Sequence, residues 1–298
     1  FPIFSQNPGD NVFSGNKVYS IYIQFDQPNY WDSLTYYYSL GTEQYMMGRV
    51  TINGEVYDSI GVRLKGNSSY SHPNNKKSFR LGFGEYADKR WDGLKGVHLN
   101  NCWGDPTFMR EKMYLDFCKN AGIHAPRSNF AEVYLNGELW GLYSLVEHVD
   151  KRLLGSHFDD NDGNLYKAVD GVGSTSQYVS DLVWYGSNPE NYYNRYELKT
   201  DEPTNPWTDL VSLIDSINNS STPQTSIKNS FNLAGYYKVL STDILFSNLD
   251  SYMNSGRNYY LYNVPTTNKF EWIIWDAGLS FGGYVGGVTN YENISVLY

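Results

Sequence analysis

The chain has no apolar run near the ~18 residues that a membrane-spanning helix needs, and Phe1-Pro2-Ile3-Phe4 does not read as a signal peptide. It has only two cysteines, Cys102 and Cys118, and no Cys-x-x-Cys pair. That scarcity argues against a zinc site and against a disulfide scaffold, and no Cys102–Cys118 bridge is expected. Positive charge is also scarce. Lys and Arg number 23 against 32 Asp and Glu, a net charge of −9 with no basic block, which argues against a nucleic-acid partner that tracks phosphates. There is no internal repeat. No Ser or Cys elbow accompanies His148, so that histidine reads as structural. The Asp159–Asn164 run fails as a calcium loop: with Gly163 as its sixth position, the first falls on Phe158 and the twelfth on Val169.

Aromatics are abundant instead, with 28 Tyr and 8 Trp in 298 residues. Such a chain is long enough for one large domain or a two-lobed one with an ample core. Exposed Tyr and Trp would also suit a carbohydrate-associated module, which stands as a rival reading. Asn67-Ser68-Ser69, Asn219-Ser220-Ser221 and Asn293-Ile294-Ser295 match the glycosylation tripeptide, relevant only in a eukaryotic secretory host.

The most informative stretch runs over 248–278. Asn248-Leu249-Asp250 leads to Asn254 and Asn258, then to two short aromatic and β-branched runs about a Pro265/Asn268 turn, and then to Asp276-Ala277-Gly278. Strand, turn, strand returns the chain to its starting point, so Asp250 and Asp276 are expected to face one volume beside Asn254 or Asn258. Two carboxylates and an amide can hold Mg²⁺ or Mn²⁺ and take a proton from an attacking hydroxyl. Protein kinases use the same order of Asp, Asn, hairpin and Asp-x-Gly. The match is partial: no His-Arg precedes Asp250, and Ala277 stands in place of the aromatic. The bland alternative is that Asp250 turns a loop and Asp276 ends a strand.

Earlier in the chain, Asn53-Gly54 and Asn136-Gly137 predict tight hairpins. Tyr30–Tyr38 is aromatic-rich and unassigned. Strand 60–66, a polar loop 67–75 and strand 76–83 have basic residues at the shoulders, an arrangement that suits a nucleotide's phosphates. Lys65 and Lys77 are the candidates, while Lys76 reads as solvated. A helix is predicted from an Asp105 N-cap to Gly122, with Met109, Met113, Phe117 and Ala121 facing the core; Glu111 could pair with a strand lysine, although a solvated charge is the commoner fate at such a position. The second strand of the Asn136-Gly137 hairpin runs into Glu147, a crossover that suits adenine. Asp170–Asn194 reads as an excursion. Asn232 caps a longer helix with Leu233, Tyr236, Tyr237, Leu240, Ile244 and Leu245 inward.

Gly61-Val62-Arg63-Leu64-Lys65-Gly66-Asn67-Ser68-Ser69, Lys77-Ser78-Phe79-Arg80, Met109-Arg110-Glu111-Lys112, Tyr134-Leu135-Asn136-Gly137 with Gly141-Leu142-Tyr143, Val146-Glu147-His148-Val149-Asp150-Lys151, Asn164-Leu165-Tyr166-Lys167 and Trp275-Asp276 form an ordered set of segments. Together they resemble the CotH family, the spore-coat-protein-H-like atypical protein kinases. The ordered series covers roughly residues 45–285.

The resemblance implies an α+β fold, a divergent protein-kinase-like two-lobed one. A β-rich N-terminal lobe with one helix would span 1–148 and carry the nucleotide loop 61–80; a helix-rich C-terminal lobe would span 149–298 and carry the catalytic hairpin 248–278. It implies transfer of the ATP γ-phosphate, with Mg²⁺ or Mn²⁺, to Ser or Thr of protein substrates that are secreted, on the cell surface or in the spore coat. Asp250 is then the catalytic aspartate and Asp276 a metal ligand with Asn258 or Asn254, while Arg63, Lys65, Lys77, Glu111 and Glu147 surround the nucleotide. Many members carry a second acid or amide two places after the metal Asp, where this chain has Gly278. Members usually continue past a point such as Tyr298, so part of the helical lobe or substrate platform is expected beyond it. The rivals are a catalytically inactive structural coat or surface protein and the carbohydrate-associated module.

Overall fold

The structure, a computed structural model, describes residues 6–169, 179–200, 203 and 205–284. The Asn293 tripeptide and residues 170–178 of the expected excursion lie outside them. The chain divides into two compact units, Phe1–Lys112 with Pro126–Ser156, and Met113–Ala125 with His157–Tyr298.

In the first unit, seven strands form one closed barrel in the order β1-β2-β3-β4-β5-β7-β6. They are β1 (Val18–Gln24), β2 (Met46–Ile52), β3 (Glu55–Lys65), β4 (Ser78–Gly82), β5 (Gly96–Asn100), β6 (Ser128–Leu135) and β7 (Glu138–Glu147). Both Asn-Gly turns form with positive φ at each central residue, 48° and 90° at Asn53-Gly54 and 46° and 89° at Asn136-Gly137. That geometry matches the right-handed twist of the β2–β3 and β6–β7 hairpins. Alternate residues point inward, among them Ile21, Ile23, Val62, Leu64, Phe79, Leu81, Val97, Leu99 and Leu145. The unassigned aromatic stretch is helix α1 (Tyr30–Ser39), whose Tyr30, Trp31, Tyr37 and Tyr38 pack against this core. The short helix α2 (Ser68–Ser71) lies in the loop before β4.

Closure overturns the expectation of a two-lobed, protein-kinase-like fold. The barrel is completed by parallel pairing of β1 with β6, from Val18↔Phe130 to Ile23↔Leu135. Nor is the second unit simply helical, because it is built on a four-stranded antiparallel sheet ordered β11-β10-β8-β9. Its strands are β8 (Leu165–Ala168), β9 (Tyr196–Leu198), β10 (Tyr259–Val264) and β11 (Lys269–Ile274).

Helices α3 (Arg110–Asn120) and α4 (Lys151–His157) each run across the division of the chain. The second unit's own helices are α5 (Thr208–Asn218), α6 (Pro223–Ser230), α7 (Leu233–Leu245) and the single turn α8 (Tyr252–Ser255). Trp272 of β11 packs against Tyr236 of α7, ring centroids 5.0 Å apart, and stacks on Tyr259 at 4.0 Å.

Two helix faces differ from expectation. On α3 the buried residues are Glu111, Lys112, Tyr114, Leu115 and Cys118, while Met113 and Phe117 are exposed, as is Met109 just before the helix. The helix starts at Arg110 because Asp105 first closes a tighter turn, its carboxylate accepting from Thr107 and from the Arg110 backbone. On α7 the buried residues are Val239, Thr242 and Asp243, and Tyr237, Ile244 and Leu245 face outward.

Candidate functional site

The acidic loops belong to the second unit. The Pro265–Asn268 turn, with Asn268 at φ 51°, joins β10 to β11 in a register that pairs Tyr259 with Ile274. One step out, the Trp275 N–H donates to Asn258 O at 3.2 Å, which brings the residue before Asp276 against Asn258. Asn258 in turn donates its side-chain Nδ2 to the backbone O of Asp250 at 2.6 Å. On the other side, backbone N–H groups of Phe281 and Gly282 donate to Phe246 O and Ser247 O at 2.5 and 3.1 Å. The chain after Asp276 is thus tied to the chain before Asp250 at both ends of the loop pair.

Asp250 and Asp276 interact. Burial raises the Asp250 pKa most, the Asp276 charge raises it further, and Arg257, with Nε 4.0 Å from Oδ1, lowers it; the net result is about 6. The Asp250 side chain is 14% exposed, and among the described residues its Oδ1 accepts no hydrogen bond. Asp276 is exposed and sits in the left-handed region at φ 52°, as Asn258 does at φ 63°. Two non-glycine residues held at positive φ in one loop pair mark backbone whose geometry is imposed by its surroundings. Asn254 lies exposed on α8, and among the described residues no hydrogen bond ties it to Asp250; of the two candidate amides, Asn258 is the one bonded to the Asp250 backbone.

Asp250 and Asp276 supply two neighbouring carboxylates, and Asn258, whose Nδ2 holds the Asp250 backbone, keeps an amide oxygen of the same hard-donor kind. Among the described residues no group of three or more His, Cys, Asp or Glu is placed to hold a metal ion. The set nonetheless fits Mg²⁺ or Mn²⁺, which bind through one or two carboxylates and fill other positions with water and phosphate oxygens. Oδ1 of Asp250, which accepts no hydrogen bond among the described residues and has Arg257 only at 4.0 Å, is the observation behind that fit.

The remaining candidates lie in the first unit. Since Leu64, Phe79, Leu81, Val97 and Leu99 face the barrel core, Arg63, Lys65, Arg80, His98 and Asn100 point outward from β3, β4 and β5. Cross-strand pairing aligns Arg63 with Arg80 and Arg80 with His98. Lys65 Nζ donates to Asn100 Oδ1 at 2.6 Å, and Asn100 Nδ2 donates to both Glu111 oxygens at 3.0 Å. Asn100, which the sequence reading passed over, therefore links Lys65 to Glu111. Arg63 pairs with Glu43 at 2.7 Å.

Two candidates are engaged elsewhere. Lys77 is buried, and its Nζ donates to Tyr70 O at 2.6 Å and to His72 O, pinning the loop around α2. Glu147 accepts from Arg127 through Nε at 2.8 Å, Nη2 at 2.5 Å and the backbone N–H at 3.1 Å. Lys76 is no solvated lysine. Its Nζ donates to Asn101 O at 3.1 Å and lies 4.6 Å from the Phe108 ring centroid and 5.0 Å from that of Tyr143, with its pKa lowered by burial.

This acidic pair on a hairpin, with a lysine, asparagine and glutamate chain elsewhere, accompanies a clear sequence relationship. The family described as CotH kinase protein matches residues 62–295. The chain belongs to this family. It is 30% identical over 230 residues to the inner spore coat protein H of Bacillus subtilis, covering 76% of this chain and 60% of that protein. In Rhizopus delemar it is 21% identical to spore coat protein homolog 1, over 84% of this chain and 40% of that one, and 21% identical to invasin CotH7, over 67% and 32%. The chain thus spans less than two thirds of the length of these CotH relatives. Among its described residues, no helix is long and apolar enough to cross a membrane.

Proposed function

We propose that the chain is a CotH-type protein Ser/Thr kinase that moves the γ-phosphate of ATP onto hydroxyls of secreted, cell-surface or spore-coat proteins. The observation that carries this reading is Asp250, a shielded carboxylate with a pKa of about 6, one oxygen that accepts no hydrogen bond among the described residues, and a second carboxylate close by. Such a group accepts a proton from an attacking hydroxyl near neutral pH. Asp276 and the Asn258 amide oxygen are the atoms that would hold Mg²⁺ or Mn²⁺ beside it. Bound there, the cation neutralises charge on the phosphate oxygens. Lys65, steered by Asn100 and Glu111, is the side chain best suited to phosphate charge in the first unit, with Arg63 second. Lys77 and Glu147 act through structure, since their polar atoms are already engaged. Most of the rate would come from orientation and electrostatics.

Incubation with γ-³²P-ATP, Mn²⁺ or Mg²⁺ and casein tests the reading. The expected result is label on casein, reduced to background by Asp250→Ala and by Asp276→Ala. Label that survives Asp250→Ala would sink the assignment of the base. No transfer by the unsubstituted chain with either cation would instead favour a non-catalytic coat protein, a reading that the name of the Bacillus relative supports.

A further inference from the structure

The loop that carries Asp250 leaves α7 by a sharp reversal. Ser247 takes φ 45°, and the Asn248 N–H turns back to Asp243 O at 2.8 Å. Beneath this turn lies a carboxylate that the proposed chemistry does not use. Asp243 is 5% exposed; its Oδ1 accepts from the Tyr114 hydroxyl at 2.5 Å and from Asn248 Nδ2 at 2.8 Å. Ser251 lies beside the same carboxylate, and its hydroxyl donates to Asn248 O at 2.8 Å. Tyr114 is fully buried and Asn248 is 2% exposed.

A buried carboxylate is a poor way to gain stability, because apolar side chains of similar volume commonly do as well or better. What it adds is direction: each bond it accepts fixes one donor in one orientation. Of its two donors, Asn248 stands at one end of the Leu249–Asp250 pair and Tyr114 comes from α3, while Ser251 stands at the other end of the pair. Asn248 and Ser251 also bond to each other, so the segment is held at both ends against one anchor.

We propose that Tyr114, Asp243 and Asn248 form a buried brace that sets the position of Asp250, acting as positioning residues that never touch substrate. The proposal rests on Asp250 being the proton acceptor. Misplacing such a group by about 1 Å is enough to cost on the order of a hundredfold in rate.

Tyr114→Phe is the first test, because it removes the hydroxyl while keeping the ring against Phe246, 5.4 Å away between centroids. The second variant is Asp243→Asn. For both, kcat is expected to fall about tenfold or more with the KM for ATP within about twofold. Hydrogen exchange at the amides of Asn248 to Ser251 should quicken about tenfold, while amides of β10 and β11 keep their protection. Unchanged kcat, or protection lost equally across β10 and β11, overturns the brace and leaves Asp243 as an ordinary core group. If the unsubstituted chain transfers no phosphate, the kinase reading fails by itself. The brace is then judged on exchange and on Mn²⁺ titration: local loosening with weaker Mn²⁺ binding in Tyr114→Phe supports it, and no change in either defeats it.

Discussion

A buried carboxylate in the first unit and a half-buried one in the second show how differently the same group is treated. Glu147, 1% exposed, receives three N–H bonds from Arg127, whose guanidinium also reaches Asp10 at 2.7 Å. Burial raises the Glu147 pKa and Arg127 opposes the rise. Asp250 is also shielded, yet the second cause of its raised pKa is another carboxylate, and its cation, Arg257, sits 4.0 Å from Oδ1. Both carboxyls are held above their ordinary range, but the first has both oxygens bonded to Arg127, whereas the second keeps an oxygen without a hydrogen bond that a cation or a substrate hydroxyl would engage. Unrelieved burial beside like charge marks a working group better than burial alone.

The largest effect expected from this contrast lies at the satisfied pair. Glu147→Ala leaves the Arg127 guanidinium buried without its main partner, which should destabilise the chain by about 3–5 kcal/mol. Urea denaturation measures this, and a loss under about 1 kcal/mol would mean that the pair does not differ in kind from Asp250.

Asp250→Asn should act in the opposite direction. Because the folded carboxyl binds its proton more tightly than an unfolded one at 3.8, its charge penalises folding above about pH 6, and the penalty fades as pH falls through 6 toward 4. At pH 7.5 without divalent cations the substitution should therefore stabilise by up to about 3 kcal/mol, and at pH 4 by little. Destabilisation at both pH values would break the contrast. The same carboxyl should give phosphotransfer an acid limb, lying below pH 6 because the cation beside it favours the charged form, since a protonated Asp250 cannot take the hydroxyl proton.

The sequence was most legible where structure is local. Asn53-Gly54, Asn136-Gly137 and the Pro265/Asn268 turn state their hairpins, and the last of them brings the residue before Asp276 to Asn258. Barrel closure was not legible, because it depends on β1 pairing with β6, more than a hundred residues away, and neither strand advertises a partner. The helices misled for a related reason. On α3 a four-residue repeat of Met113 and Phe117 marks a real stripe, but the buried face carries Glu111, Tyr114 and Cys118, and on α7 it carries Asp243. Tertiary demand for polar anchors overrode the hydrophobic period. Lys77 and Glu147 looked available because their partners, two backbone carbonyls and Arg127, are invisible in a linear reading. Asn100 and Asp243 carried no motif at all.

The smallest expected effect sharpens the contrast from the ligand side. If Asp276 and Asn258 hold a cation beside Asp250, Mn²⁺ at about ten times its dissociation constant should stabilise the chain by about 1.4 kcal/mol through binding the folded state alone. Asp276→Asn should abolish that gain without touching the Arg127–Glu147 pair, which contains no uncommitted carboxylate oxygen. Glu147→Ala, if it folds, should keep the gain. Differential scanning calorimetry of the three proteins with and without MnCl₂ separates these outcomes. An Mn²⁺ response that survives Asp276→Asn would show that the ion binds elsewhere, and the strain at Asp250 would then need another cause.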